Sequence, residues 1–197
     1  MNQNAFIFIG RSGCGKGTQI EMLVDLLKNK DPGHGILQIY TGREFRKFIQ
    51  GSNTTQKLSK AIYDVGGLMP EFLAAHMWTS LLVENFNGNQ HVIFDGTPRK
   101  LHEAGVLDSV FGFYGFTKPW VINIEITKEE ATKRLILRKR LDDNEEDIKK
   151  RLAWYDTDVA PTVEFYRNNR EYNFVCIDGE RTPNEIHEDI VKKLGLV

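Results

Sequence analysis

Residues Gly10 to Gln19 read Gly-Arg-Ser-Gly-Cys-Gly-Lys-Gly-Thr-Gln, and this stretch constrains the chain more than any other. It follows the apolar run Ala5-Phe6-Ile7-Phe8-Ile9 and leads into Ile20, Leu23, Val24 and Leu27, apolar residues at helical spacing. A strand feeding a glycine-rich loop that opens a helix is the context in which Gly-x4-Gly-Lys-Ser/Thr carries information. Gly10, Gly15 and Lys16 keep that spacing, with Gly17 placed before Thr18. Glycines let backbone N–H groups turn inward and approach a phosphate closely. The following helix adds unpaired donors and the positive end of its dipole. Lys16 supplies a point charge for terminal phosphates, and Thr18 a hydroxyl near Mg²⁺.

The rest of the composition sets bounds. A chain of 197 residues can bury one sizeable core with small excursions from it. A net charge of −1 gives no global basic field, so neither nucleic acid nor an anionic membrane is an expected partner. Phosphate chemistry must then rest on local clusters of arginine and lysine. The first residues carry no basic side chain, and the apolar run after them is too short for a signal peptide or a membrane span. Cys14 and Cys176 suggest no disulfide framework and are read as free thiols of a cytoplasmic protein, Cys176 in a buried strand. No Cys/His spacing suggests a structural zinc.

In chain order, a helix is expected from about residue 16 to 29, ended by Asp31-Pro32-Gly33, and a strand over 36–40. Residues 41–67 are mostly polar and helical in pattern, with a turn at Gly51-Ser52-Asn53. A long amphipathic helix runs from Pro70 to Phe86. Val92-Ile93-Phe94 is a strand ending in Asp95-Gly96-Thr97-Pro98-Arg99, followed by a helix and a loop over 112–119. A strand over 121–126 precedes Thr127 and Glu130, spaced as a capping box. Asn144 caps the next helix, Pro161 interrupts, and Phe174–Ile177 is a fifth strand. Thr182 and Glu185 form a second capping box with Pro183 at the first helical position, and Gly195 ends that helix. Short apolar strands alternating with helices predict an α/β fold, one domain with a parallel sheet covered on both faces.

In such sheets the ligand lies beyond the carboxyl ends of the strands. Thr41, Gly42 and Arg46 follow the second strand. Asp95 and Arg99 follow the third. The helix after the fourth leads to Arg134, Arg138 and Arg140, with Arg151 one helix later. Several arginines on the rim that carries the glycine loop point to more than one bound phosphate group.

The ordered set of motifs resembles the adenylate kinases among the nucleoside monophosphate kinases. It comprises Gly10–Gln19, Thr41-Gly42 with Arg46, Gly66-Gly67-Leu68-Met69, Asp95-Gly96-Thr97-Pro98-Arg99, Arg138-x-Arg140-x-Asp142-Asp143, and Arg151. It spans nearly the whole chain. The resemblance implies a P-loop nucleoside monophosphate kinase fold, with a five-stranded parallel sheet, an NMP-binding segment over 41–67 and a very short lid over 134–145. It implies reversible transfer of a phosphoryl group from ATP to AMP, giving two ADP, with Mg²⁺ bound alongside ATP and a monomeric enzyme. Gly13, Cys14, Gly15, Lys16, Gly17, Thr18, Arg134 and Arg181 would hold ATP, Arg134 by stacking on the adenine. Thr41, Arg46, Met69, Gly96, Arg99, Glu103, Arg140 and Arg151 would hold AMP. Lys16, Arg99, Arg138, Arg140 and Arg151 would neutralise charge on the phosphoryl group in flight. Thr18 and Asp95 would serve Mg²⁺, Asp95 through water, while Asp142 and Asp143 would fasten the closing segment.

Three departures from that family qualify the expectation. Only Lys139 separates Arg138 from Arg140, which leaves no room for a lid hairpin. Ser12 stands where relatives usually have proline. Glu103 stands where adenylate kinases usually place glutamine, whose amide can accept from adenine N6 and donate to N1. A carboxylate offers N1 nothing unless protonated and suits the adjacent donors of guanine. AMP is the favoured acceptor, with Thr41 as its support, and GMP, CMP and UMP stay open. A non-catalytic nucleotide-binding module would be expected to lack Lys16 or the later arginines, which are present. No Asn-Lys-x-Asp motif suggests a GTPase.

Overall fold

Five short apolar strands form one parallel sheet in the order β2-β3-β1-β4-β5. They are β1 (Ala5–Ile9), β2 (Gly35–Ile39), β3 (Gln90–Asp95), β4 (Trp120–Glu125) and β5 (Asn173–Asp178). The structure, a computed structural model, describes residues 3–138 and 144–197. Every residue of β1 is buried, because strand alternation sends its side chains into two separate cores. Phe6 and Phe8 pack on one face with Leu23, Leu27, Leu135, Ile148 and Ile190. Ala5, Ile7 and Ile9 pack on the other with Trp78, Leu82, Leu107, Phe111 and Tyr166. Burying side chains of this size is worth about 1.5–3 kcal/mol each, and a central strand collects that on both faces.

The helices follow from the same sequence. They are α1 (Lys16–Lys30), α2 (Thr41–Phe48), α3 (Thr54–Tyr63), α4 (Glu71–Asn85), α5 (Leu101–Tyr114), α6 (Lys128–Arg138), α7 (Glu145–Trp154), α8 (Ala160–Asn168) and α9 (Pro183–Lys193). No described helix is long and apolar enough to cross a membrane. The segment 41–67 forms α2 and α3, and Phe45, Ile49, Met69, Leu73 and Ala74 make a small third cluster beneath it. Asn53 and Gln56 close a full capping box at the start of α3.

Several expectations are corrected. Helix α5 continues through Gly112 to Tyr114 and stops at Gly115, which takes the left-handed conformation there. Buried Leu107 and Phe111 hold that last turn despite the glycine. Tyr40 is the residue before α2 and not the end of β2. Thr127 accepts the Glu130 amide, but Glu130 does not return the bond. Glu180 takes the Thr127 amide at 2.7 Å, while Glu130 binds Arg134. Pro161 does not interrupt the chain. A π-helical turn, Tyr155–Val159, joins α7 to α8, and Pro161 falls in the first turn of α8, where its missing N–H costs little. Cys176 is half-buried rather than buried. The Thr182–Glu185 box with Pro183 forms as expected.

Candidate active site

The carboxyl ends of β1 and β3 lie side by side, with Phe8 opposite Asp95. The Gly96 amide extends the pairing by donating to the Phe8 carbonyl at 3.0 Å. The chain leaving β1 turns to one side of the sheet and the chain leaving β3 to the other, so a crevice opens above this pair. It is a cavity of about 700 Å³. Among the described residues its basic lining is Lys16, Arg46, Arg99, Arg134, Arg138, Arg151 and Arg181, against Glu21, Asp95 and Glu103. On a chain of net charge −1, that concentration of cations marks a site for anions.

The loop after β1 is shaped by its glycines. Gly10, Gly13 and Gly15 have φ of 145°, 86° and 96°. A Cβ on Gly10 would stand 2.4 Å from the Ile124 carbonyl oxygen, and one on Gly13 would stand 3.0 Å from that of Ala131. The loop is thus pressed against β4 and α6. Lys16 Nζ donates to the carbonyls of Gly10 at 2.8 Å and Arg11 at 3.0 Å, and to Cys14 Sγ at 3.4 Å. Cys14 is buried, while Gly17 and Thr18 open to the cleft.

On the same side, Arg134 lines the cleft with its Nε fixed by Glu130 at 2.7 Å. Arg181 lines it too, held by Asp189 at 2.8 Å and by the Asp178 carbonyl at 3.2 Å. Gln19 donates to the Pro183 carbonyl at 2.9 Å, which ties α1 to the start of α9.

On the opposite side, buried Thr41 shares a hydrogen bond of 2.8 Å with Thr97. Arg46 donates to the Tyr40 hydroxyl at 3.2 Å, with its guanidinium 5.4 Å from that ring. Met69 is a buried member of the third cluster and lines the cleft. Glu103 is 3% exposed and also lines it. Burial pushes its carboxyl pKa up, against the pull of the Arg99 charge and the backbone N–H groups of Arg99 and Lys100.

Between the two sides lies Arg99. Its Nε donates to the Gly96 carbonyl at 3.0 Å, and its guanidinium sits 5.3 Å from the Trp154 ring. Burial lowers its pKa while Glu103 and Asp95 raise it. Arg151 Nε donates to the Asp147 carbonyl at 3.4 Å, and Arg138 lines the cleft. A Cβ on Gly96 would lie 3.7 Å from Lys16 Cε and 4.0 Å from Arg99 Nη2. The loop lysine and the β3 arginine therefore converge on one point. Arg140, Asp142 and Asp143, and the middle of the 134–145 segment, lie outside the described residues.

Thr18 and Asp95 both line this cavity, and a hydroxyl and a carboxylate are oxygen donors of the kind a hard cation such as Mg²⁺ takes. The cluster Asp31, His34 and His91 lies elsewhere, at the opposite ends of the strands. His91 Nδ1 accepts the Asn4 amide at 3.1 Å, so its Nε2 carries the proton and donates to Asp31 at 3.2 Å. A metal-bound histidine would need the reverse tautomer, so the cluster is a hydrogen-bonded one.

Tyr40 and Trp154 were missed by motif reading. Tyr40 adjoins Thr41, and Trp154 falls three residues after Arg151, one helical turn along the same face; adjacency to a singled-out residue was the available signal.

Residues 8–171 match the family model for adenylate kinase. Similar curated proteins are the adenylate kinases of Bacteroides fragilis, 35% identical over 190 residues, and Phocaeicola vulgatus, 35% identical over 189. Each alignment covers 94% of this chain and 95% of the relative. The adenylate kinase of Corynebacterium glutamicum is 31% identical over 189 residues, covering 96% of this chain and 98% of that protein.

Proposed function

The chain belongs to the adenylate kinase family, and from that premise we propose that it transfers the terminal phosphoryl group of ATP reversibly to AMP, giving two ADP. The observation that carries the reading is the convergence of Lys16 and Arg99 beside Gly96. One cation belongs to the loop suited to the donor phosphates. The other follows β3, beside the side of the cleft that holds Thr41, Arg46, Met69 and Glu103.

The acceptor nucleophile is a phosphate oxygen already anionic near neutral pH, so no general base is needed. Alignment and charge neutralisation supply the rate. Lys16 and the amides of Gly13, Cys14, Gly15, Gly17 and Thr18 hold the donor phosphates. Arg134 packs on the donor base and Arg181 borders it. Arg46 and Arg99 grip the acceptor phosphate, and Thr41, Met69, Gly96 and Glu103 shape the acceptor site. Arg138, Arg140 and Arg151 neutralise the transferring group in a cleft from which water is excluded. Thr18 and, through water, Asp95 would hold Mg²⁺, which would supply charge neutralisation at the ATP phosphates. Segments 41–67 and 134–145 close over the substrates, the second by a small rearrangement because it is so short. The enzyme works as a cytoplasmic monomer.

In its neutral form Glu103 can serve adenine as glutamine does. A neutral carboxyl has one donor and one acceptor, as glutamine has, and burial extends the range in which Glu103 is neutral. The test is purified protein with Mg²⁺ and ATP against AMP, GMP, CMP and UMP in turn. AMP should be the fastest acceptor. GMP outcompeting AMP overturns the acceptor assignment, and no transfer to any of them overturns the enzyme.

A further inference from the structure

Arg11 stands inside the glycine loop yet does not line the cleft. Its backbone carbonyl accepts from Lys16 Nζ at 3.0 Å and from the Cys14 amide at 3.2 Å. Its side chain meets the π-helical turn Tyr155–Val159. Nη2 lies 2.8 Å from Asp156 Oδ1, and the guanidinium carbon lies 4.2 Å from the centre of the Tyr155 ring. The contact is 18% exposed on the arginine side and 39% on the aspartate side, so the guanidinium is sheltered while the carboxylate meets solvent. Lys128 contacts the other carboxylate oxygen of Asp156 at 2.6 Å, apart from the Arg11 bond.

The turn that Arg11 grasps joins α7 to α8, and both helices hold the other side of the site. Trp154, at the end of α7, faces Arg99. Thr162, in α8, donates to the Arg99 carbonyl at 3.1 Å. The Arg11 guanidinium thus links the loop that holds Lys16 to the helices that hold Arg99. Tilting or sliding the π turn would move Asp156 and drag the Arg11 carbonyl with it.

We propose that Arg11 is a positioning residue for phosphoryl transfer: its side chain, anchored on Asp156 and Tyr155, fixes the loop carbonyls that hold Lys16 in register with Arg99. It touches no substrate. The proposal rests on the kinase reading above, and its effect is expected in the chemical step, because misplacing a reacting group by about 1 Å can cost on the order of 100-fold.

The test compares wild type with Arg11→Ala, Arg11→Lys, Asp156→Ala, the Arg11→Ala/Asp156→Ala double variant and Lys128→Ala. Arg11→Ala should lower kcat roughly ten- to 100-fold with KM for both nucleotides within about threefold and with folding retained by circular dichroism. Arg11→Lys should recover part of the loss, because it keeps a cation facing Asp156 and Tyr155. The double variant should be no worse than the weaker single variant, since both remove one link. Lys128→Ala, which leaves the Arg11 contacts in place, should stay within about twofold. An Arg11→Ala enzyme with near-normal kcat overturns the proposal, as do single losses that multiply in the double variant. The ¹⁵Nζ resonance of Lys16 reads the same placement without turnover. It should shift in Arg11→Ala and not in Lys128→Ala, and an unchanged resonance in Arg11→Ala overturns the proposal. A wild type that transfers nothing would overturn the kinase reading, while the resonance would still decide the role of Arg11.

Discussion

The two walls of the cleft are built on different terms. The donor-side loop is set into the main body: Gly10 lies against the Ile124 carbonyl with no room for a Cβ, and Gly13 lies against that of Ala131 with a tight fit for one. The acceptor-side segment, 41–67, stands on its own small cluster. Its helix α3 buries only Ser59. It is held near its ends, by Thr41 on Thr97 at one and at the other by Gly66, whose carbonyl accepts Trp154 Nε1 at 3.3 Å. Contact density sets local stability, so the first wall should open only with the whole protein and the second well before it. A kinase of this kind needs that asymmetry. The phosphates of ATP require donors that cost no reorganisation, whereas the second nucleotide requires a wall that can close.

The largest effect should come from Lys16→Ala, which removes the cation together with its bonds to the Gly10 and Arg11 carbonyls and to Cys14 Sγ. Turnover should fall by roughly 10²–10³-fold or more, as for loss of one preorganised donor, with the melting temperature little changed. Steady-state kinetics checks it, and turnover within tenfold of wild type would remove Lys16 from its role.

A matched pair of glycine substitutions tests the contrast itself. Gly10→Ala places a Cβ in contact with backbone at a φ of 145°, against β4 of the main body. Global stability to urea should fall by about 2–4 kcal/mol, combining backbone strain with overpacking. Gly66→Ala also meets a crowded site, 3.0 Å from Asp147 Cα at a φ of 65°. There the local cost is about 1–2 kcal/mol. It should appear mainly as faster hydrogen exchange in α3 and a raised KM for AMP, because the segment can yield without unfolding the sheet. Equal loss of global stability in the two variants would show that the walls are one cooperative unit.

What could be read from the sequence divides along the same line. The loop, its flanking strand and helix, and all five strands are local patterns, and each depends on residues within a few positions of one another. The misreadings come from competing partners, one distant and the others near, that spacing alone does not weigh. Thr127 and Glu130 have capping-box spacing, yet Glu180 takes the Thr127 amide and Arg134 takes Glu130. Pro161 looks like a break until the π turn ahead of it places the ring in a first turn. Gly112 looks like a loop, but Leu107 and Phe111 carry α5 over it. In the site, the motif residues Lys16, Thr18, Arg46, Asp95 and Arg99 were legible and do line one cleft. Trp154 and Arg11 were not, because their meaning is a contact with Arg99 in one case and Asp156 in the other. No spacing rule links positions that far apart.

The smallest expected effect concerns how Glu103 meets the acceptor base. Glu103 reaches the cleft from α5, so it belongs to the fixed body although it faces the acceptor. Burial raises its pKa above the ordinary carboxylate value of about 4.3. Below the raised pKa the carboxyl keeps its O–H and can donate to adenine N1 while accepting from N6. As pH rises through it, the donor is lost and a negative charge is left beside the base. KM for AMP should therefore rise with pH in the wild type, by the worth of one hydrogen bond, about 0.5–1.5 kcal/mol or roughly two- to tenfold. Glu103→Gln keeps a donor and an acceptor at every pH, so its KM for AMP should be flat over the same range. KM for ATP should show no such difference, since Glu103 serves only the acceptor side. If the two enzymes share one pH profile for AMP, Glu103 does not read the base, and discrimination must come from the segment that closes over it.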